Sequence, residues 1–170
     1  SLIANSTAAQ AALAVVSEAD DEAAATVEAL EVQVWLELDS FLRLLASRNG
    51  GAMPAPAQVL SLMPPPPAAG WPEEFMLSQV VLRLREMAAK QRATGIVDLE
   101  DAEPYVPCST ELYSARRRAQ RLSFTIWCMI RAENHDLQKV LETQSTSDRL
   151  RLAVLRLREM REQARGQMPK

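Results

Sequence analysis

The prolines constrain the fold of this 170-residue chain most, because they avoid its periodic apolar segments and gather between them. Of the ten prolines, seven lie at 54–72 and two more at 104–107. Proline ends or kinks a helix, so the long stretches without it are free to be helical. Only five glycines occur, and alanine, leucine, arginine and glutamate, which favour helices, dominate the composition. We predict an all-α fold: a bundle of about four principal helices plus short helices, with a Pro-rich linker.

The clearest helical pattern runs from residue 22 to residue 48, where apolar residues recur every 3.6 positions. Its stripe comprises Val27, Leu30, Val34, Leu38, Phe41, Leu42 and Leu45. A separate Ala-rich helix is expected from Thr7 to about Val16, and the acids at 18–22 suit the first turn of the longer helix. Asn49, Gly50 and Gly51 accept the left-handed conformation that ends a helix.

Similar stripes and capping residues predict the remaining helices. They run from about Pro72 to Thr94, from a Ser109 or Thr110 cap to about Ile130, over a short segment after Asn134, and from a cap at 145–148 to Gly166. The chain therefore divides into an acidic helical segment at 1–48, a Pro/Gly-rich linker at 49–72 and a helical bundle at 73–170.

The linker contains four consecutive prolines, Pro64 to Pro67, which must be extended and favour polyproline II. Such a run is either a spacer, the more frequent case, or a ligand for the aromatic groove of a partner. Its neighbours Val59, Leu60, Leu62 and Met63 are expected to form a short turn that packs on the body. A second loop, at 96–108, is acidic.

The apolar stripes together predict the hydrophobic core. Its members are expected to include Val34, Leu38, Leu42, Leu45, Val80, Leu84, Leu122, Ile126, Val140, Leu141, Leu150 and Leu157.

Charge is distributed unevenly along the chain, whose net charge is −3. Residues 1–108 carry 15 acidic and 6 basic side chains, a net of −9, and residues 109–170 carry 7 acidic and 13 basic, a net of +6. Such asymmetry can mark a basic nucleic-acid or membrane surface. The simpler interpretation, which we prefer, is that the two halves attract each other or a neighbouring subunit.

The two cysteines are too few for a disulfide framework, and they favour a reducing intracellular compartment. Cys128 lies in an apolar run and is expected in the core, while Cys108 follows Pro107 where its thiol could be partly activated. No segment has the length and apolar character of a membrane span, and no signal-peptide pattern is present. The sequence does not begin with Met, so Ser1 is expected to be a processed start or the first resolved residue, with earlier sequence removed or unseen. The Ala-rich, tetraproline-containing composition is typical of GC-rich algal nuclear genomes.

Nothing in the sequence predicts an enzyme. His135 is the only histidine, and no CxxC, HExxH, phosphate-binding or dinucleotide-binding motif occurs. His135 has no glutamate three residues before it, which excludes the usual di-metal pattern of helical bundles. We therefore assign no catalytic residue, no cofactor and no metal ligand.

The candidate contact residues are arginines and tryptophans. Arg151, Arg158 and Arg165 recur every seven residues on one face of the last helix, opposite its apolar stripe. They are expected to face water, a partner's acids or acids of this chain such as Glu28 or Glu37. Nucleic acid is the less favoured partner, because acids interrupt the charge and aromatic residues are missing from that helix. Trp35 and Trp71 lie off the stripes and are candidate anchors for a partner protein, with packing in the core as the equal alternative. For Trp127, packing in the core is the preferred expectation.

The region around 122–150 resembles the helical tail of LON substrate-binding domains, which bind unfolded or tagged proteins. The resemblance extends over roughly residues 20–165, because the helix at 22–48 looks like the helix that leaves the family's β-rich half. The order of helices and linker is similar to that of plastid and algal LON-domain proteins, which makes the chloroplast one candidate location. That tail has an LSF-type helix, an EKQxLLE-like segment, a few polar residues, an Arg-Leu pair and a final long helix. The corresponding residues here are Leu122, Ser123 and Phe124, then Asp136, Gln138, Val140, Leu141 and Glu142, then 143–148, and finally Arg149 and Leu150.

The sequence also departs from this family. Leu137 stands where the family usually has lysine, and the β-rich half that precedes the family's helices does not lie within these residues. The resemblance implies a non-catalytic protein-binding module derived from a substrate-recognition domain, with client proteins or a larger complex as partners. The alternative is a structural accessory subunit of a larger assembly, for example in a plastid.

Overall fold

The computed structural model describes residues 2–48, 50–51, 55–94, 113–130 and 134–166, with side chains from residue 23 onward except at 88, 91–94 and 134–136. Its helices are α1 (Leu2–Arg48), α2 (Ala57–Leu60), α3 (Leu77–Thr94), α4 (Ala115–Thr125), α5 (Asn134–Glu142) and α6 (Thr146–Gly166). A 3-10 turn at Ile126–Cys128 follows α4. The described ranges contain no strand, and the predicted all-α bundle is confirmed. None of their helices is long and apolar enough to cross a membrane.

The first helix differs from the expected pair of helices, because α1 continues through the acidic stretch from Leu2 to Arg48. No glycine or proline interrupts these 47 residues, and alanine and glutamate are compatible with a helix interior. The helix ends as predicted at a glycine pair. Gly50 and Gly51 have φ values of 75° and 95°, and the Gly51 amide donates to the Ala46 carbonyl at 2.8 Å.

Two helices begin later than predicted. The α3 helix starts at Leu77, because residues 72–75 form a turn in which the Phe75 amide donates to the Pro72 carbonyl. The α4 helix starts at Ala115, where Ser114 is the N-cap and accepts a hydrogen bond from the Arg117 amide at 3.4 Å. The proposed caps Ser109 and Thr110, and the acidic loop at 96–108, lie outside the described residues.

The start of α6 is confirmed. The Ser145 hydroxyl accepts a hydrogen bond from the Asp148 amide at 3.3 Å, as expected for a capping residue. The short helix after Asn134 is also present, as α5.

The core lies mainly between α1 and α6, with α4 packed against both. Glu37 of α1 contacts Arg158 and Arg161 of α6, and farther along both helices the Arg48 guanidinium donates to the Ala164 carbonyl. Because later residues of α1 contact later residues of α6, the two helices run parallel.

Most predicted core positions are buried or packed against the core. The fully buried ones are Val34, Leu38, Leu42, Leu122, Ile126, Val140, Leu150 and Leu157, and Leu45, Val80 and Leu84 are partly buried. Trp127 is buried as expected. Two predictions were wrong: Leu141 is 73% exposed, and Cys128 is exposed. The 3-10 turn changes the direction of successive side chains, so that Ile126 and Trp127 turn inward and Cys128 turns outward.

The linker returns to the body as predicted. Val59 and Leu60 of α2 are buried, as are Leu62 and Met63 just after it. Pro64 is buried too, and Pro65 and Pro66 are exposed.

A buried ion pair fixes α4 to α1. The Arg118 guanidinium donates to both carboxylate oxygens of Glu31, from Nε at 2.8 Å and from Nη2 at 2.9 Å. Burial raises the pKa of Glu31, and the hydrogen bonds and charge of Arg118 oppose that rise. A bidentate pair in a dry environment is directional, so it sets the register of α4 on α1.

A second buried carboxylate positions α3. Asp39 Oδ1 accepts hydrogen bonds from the amides of Met76 and Leu77, both at 2.9 Å, and Oδ2 lies 2.8 Å from Arg43 Nε. Burial raises the pKa of Asp39, while the Leu77 amide, the Arg43 charge and the Met76 amide lower it. The carboxylate thus satisfies unpaired amides at the start of α3, from a neighbouring helix.

The burial difference between two leucines gives the first prediction. Leu150→Ala should lower the free energy of unfolding by about 2–5 kcal/mol, because it leaves a cavity in the core. Leu141→Ala should change it by no more than about 0.5 kcal/mol, because the side chain already faces water. Chemical denaturation measures both, and equal losses would contradict the exposed position of Leu141.

The Glu31–Arg118 pair gives the second prediction. Glu31→Gln should cost about 3–5 kcal/mol of unfolding free energy, because it leaves the Arg118 charge buried without its carboxylate. The double variant Glu31→Leu/Arg118→Met should recover most of that loss, because no buried charge then remains. A double variant that is less stable than Glu31→Gln would contradict the explanation that the loss comes from an uncompensated buried charge.

Candidate protein-contact surfaces

The predicted arginine row on α6 is neutralised within the chain. Arg151 lies 2.7 Å from Asp148, and Arg165 lies 2.9 Å from Glu162, each three residues away on the same helix. Arg158 instead reaches Glu37 of α1 at 2.6 Å. Arg158 therefore pairs with Glu37, an acid of this chain, which is one of the environments expected for this row.

Glu37 receives two arginines. Its Oε1 accepts from Arg158 and its Oε2 from Arg161, both at 2.6 Å. Arg161 is more buried than Arg158, so this junction ties α6 to α1 along one edge of the core. The contact stabilises the bundle, and it reduces the charge that Arg158 offers to a partner.

The two tryptophans proposed as anchors occupy different environments. Trp35 is fully buried, so a partner cannot contact it on the folded chain, and this prediction was wrong. Its off-stripe position reflects a second packed face of α1. Trp71 is half-buried and stacks on the buried Phe75, with ring centroids 4.3 Å apart and planes at 15°. As a partner contact, Trp71 stays a prediction.

Helix α5 presents an apolar surface that the sequence did not predict. Leu137 and Leu141 are 38% and 73% exposed, and they lie four residues apart on the same face. Val140, between them in the sequence, is buried. We call Leu137 and Leu141 the α5 leucine surface. The three apolar residues form one stripe in the sequence, which explains why Leu141 was expected in the core.

Arg149 holds the end of α5 in place. Its Nη1 donates to the carbonyls of Thr143 at 2.5 Å and Gln144 at 2.9 Å, and its Nε donates to the Ser123 hydroxyl at 3.0 Å. The guanidinium also lies 4.1 Å from the centre of the Phe124 ring. Burial lowers the pKa of Arg149. This buried cation therefore connects α4, the loop after α5 and the start of α6 through neutral acceptors.

The outer side of α4 carries exposed positive charge. Arg116, Arg117 and Arg121 are exposed and form no ion pair with a carboxylate in the part of the chain that the structure describes. Arg117 donates to Gln120 at 3.2 Å, and the Arg121 guanidinium lies 4.7 Å from the centre of the Tyr113 ring. We call these three arginines the α4 arginine face.

A shallow cavity opens at the beginning of α4. It measures about 400 Å³ and lies between Pro64–Pro67 on one side and Tyr113, Ser114 and Ala115 on the other. Glu28 and Arg118 also line it. The prolines are thus part of a wall on this chain's own surface, which agrees with a spacer that packs on the bundle.

The described residues bring together no group of three or more histidine, cysteine, aspartate or glutamate side chains that could hold a metal ion. Cys108 and the side chain of His135 lie outside the described residues. The two buried carboxylates each have a structural partner, Arg118 for Glu31 and the start of α3 for Asp39.

Comparisons of the chain with protein-family models, with curated proteins and with solved structures give no match. The resemblance to LON domains therefore depends on the sequence pattern alone.

Proposed function

We propose that this chain is a non-catalytic protein-binding module of the LON substrate-recognition type, and that the α5 leucine surface contacts apolar segments of client proteins. The observation that carries the proposal is the exposure of Leu137 and Leu141 on a helix that Arg149 and Val140 hold against the bundle. Exposed leucines on a positioned helix are available to a partner without any rearrangement of the core.

The resemblance supports this proposal at the same residues. Leu141 belongs to the segment that is similar to the family's LLE motif, and Arg149 belongs to the Arg-Leu pair that follows. In this structure Val140 of that segment is buried, and Leu141 beside it points to solvent. One residue of the motif thus packs, and the next is free for contact.

The alternative is a structural accessory subunit of a larger assembly, for example in a plastid. It is favoured by the distribution of exposed apolar residues over several helices. Besides α5, Leu82 on α3 and Leu155 on α6 are 57% and 55% exposed, and Phe124 on α4 is 39% exposed. A subunit with several neighbours would cover such dispersed positions.

Binding of a defined unfolded client tests the primary proposal. The probe is a labelled, permanently unfolded protein whose cysteines are blocked, and fluorescence anisotropy measures its binding to the purified chain. Leu137→Ser/Leu141→Ser should weaken binding by about tenfold, since each exposed leucine loses apolar contact area. The fold should stay intact, because neither side chain is in the core.

Leu82→Ser/Leu155→Ser is the matched control, because it removes two exposed leucines from α3 and α6. It should leave client binding within about twofold of the original chain, a difference under about 0.5 kcal/mol. Equal losses in the two double variants, or no binding by the unaltered chain, would contradict the proposal. Isolation of the native protein in one complex of fixed stoichiometry, without client binding, would favour the accessory subunit.

A further inference from the structure

The α4 arginine face stands out when it is compared with α6. Five arginines of α6 each have a carboxylate within 3.3 Å: Arg151, Arg156, Arg158, Arg161 and Arg165. The arginines at 116, 117 and 121 have none among the described residues. Most arginines of α6 are therefore neutralised by a nearby carboxylate, whereas three of the four on α4 are not neutralised by any described carboxylate.

The position of these arginines is unfavourable for the isolated helix. Arg116 and Arg117 lie in the first turn of α4, where the helix dipole places partial positive charge. Cations at this end are disfavoured, and the next residue, Arg118, is compensated by the buried Glu31. Arg116 and Arg117 have no such compensation in the described part of the chain. Carboxylates supplied from outside would relieve both the mutual repulsion and the dipole effect.

The geometry of the face suits a peptide with several acids. Arg117 and Arg121 are four residues apart, so their guanidinium groups emerge on the same side of α4. The Tyr113 ring lies against Arg121 and restricts its orientation, which lowers the entropy lost when a carboxylate binds. Guanidinium groups bind carboxylates through two parallel hydrogen bonds.

The aromatic rings near this face are less suited to nucleic acid. One face of Tyr113 is covered by Arg121, and one face of Phe124 is covered by Arg149. Binding of single-stranded nucleic acid depends on free aromatic faces on which bases stack, together with a longer positive groove. Three arginines within about one and a half turns of helix provide charge without those stacking surfaces.

We infer that the α4 arginine face docks an acidic segment of a partner protein, with its carboxylates against Arg116, Arg117 and Arg121. This site uses neither Leu137 nor Leu141. The inference therefore goes beyond the proposed client contact, and each can fail while the other holds.

The test uses three labelled probes and the whole chain: deca-glutamate, neutral deca-glutamine and deca-thymidylate. Fluorescence anisotropy at about 50 and about 200 mM salt measures their binding. The chain should bind deca-glutamate, more weakly at the higher salt, and should bind deca-glutamine negligibly. Arg116→Gln/Arg117→Gln/Arg121→Gln should weaken deca-glutamate binding by about tenfold, as expected from three exposed ion pairs.

Arg151→Gln/Arg158→Gln/Arg165→Gln is the matched control, because it removes the same charge from α6, where carboxylates already neutralise it. It should leave deca-glutamate binding within about twofold. The triple lysine variant at 116, 117 and 121 keeps the charge and should retain part of the affinity. Circular-dichroism melting checks the fold of each variant, and Arg117→Gln alone serves if the triple variant unfolds.

Three results would overturn the inference. The first is undetectable deca-glutamate binding by the unaltered chain. The second is an equal or greater loss in the α6 variant. The third is tighter binding of deca-thymidylate that is lost in the α4 variant, which would assign the face to nucleic acid.

Discussion

The buried contact between Glu31 and Arg118 fixes how α4 lies on α1, and the contacts of α5 and of the start of α6 build on that placement. It joins residues 87 positions apart in the sequence and places α4 across α1. Once α4 is placed, Ser123 and Phe124 near its end contact Arg149. Arg149 in turn holds the carbonyls that follow α5. Two buried arginines therefore connect α1, α4, α5 and α6, one through a carboxylate and the other through neutral oxygens.

In this arrangement, the side chains that stabilise the fold differ from those exposed on the α5 leucine surface and the α4 arginine face. Leucines and valines between α1, α4 and α6 form the core, and burying each contributes about 1.5–3 kcal/mol. Leu137 and Leu141 on α5, and the arginines on the outer side of α4, are outside that core. A substitution of these exposed residues should therefore have little effect on folding.

The sequence predicted the helices well where a periodic stripe coincides with glycine or serine caps, as at Gly50–Gly51 and Ser145. It failed at the junction near residue 20, where acids were interpreted as a new helix start although no residue breaks α1. Leu141 was wrongly expected in the core because it belongs to the apolar stripe of Leu137, Val140 and Leu141, and of these three side chains Val140 alone is buried. Periodicity gives the apolar face of a helix, but the width of the face that a neighbour covers depends on tertiary packing.

The buried charges were missed for a related reason. Glu31 is the residue after Leu30, which belongs to the apolar stripe of α1. Arg118 lies four residues before the buried Leu122 on α4. A charge at core spacing on each of two helices is a signal for a buried pair, because neither is stable there without the other. Which acid meets which arginine cannot be decided from spacing alone. The neutral acceptors of Arg149 depend on loop geometry, for which the sequence contains no comparable pattern.

Hydrogen–deuterium exchange, followed by mass spectrometry on the intact chain, tests most directly whether a core of α1, α4 and α6 carries α5 on its surface. We expect the slowest exchange at 31–46 in α1 and at 150–164 in α6, because these segments contain the buried contacts. Helix α5 should exchange faster, because Val140 is its one buried residue among those whose side chains are described. Protection of α5 equal to that of α6 would contradict this arrangement.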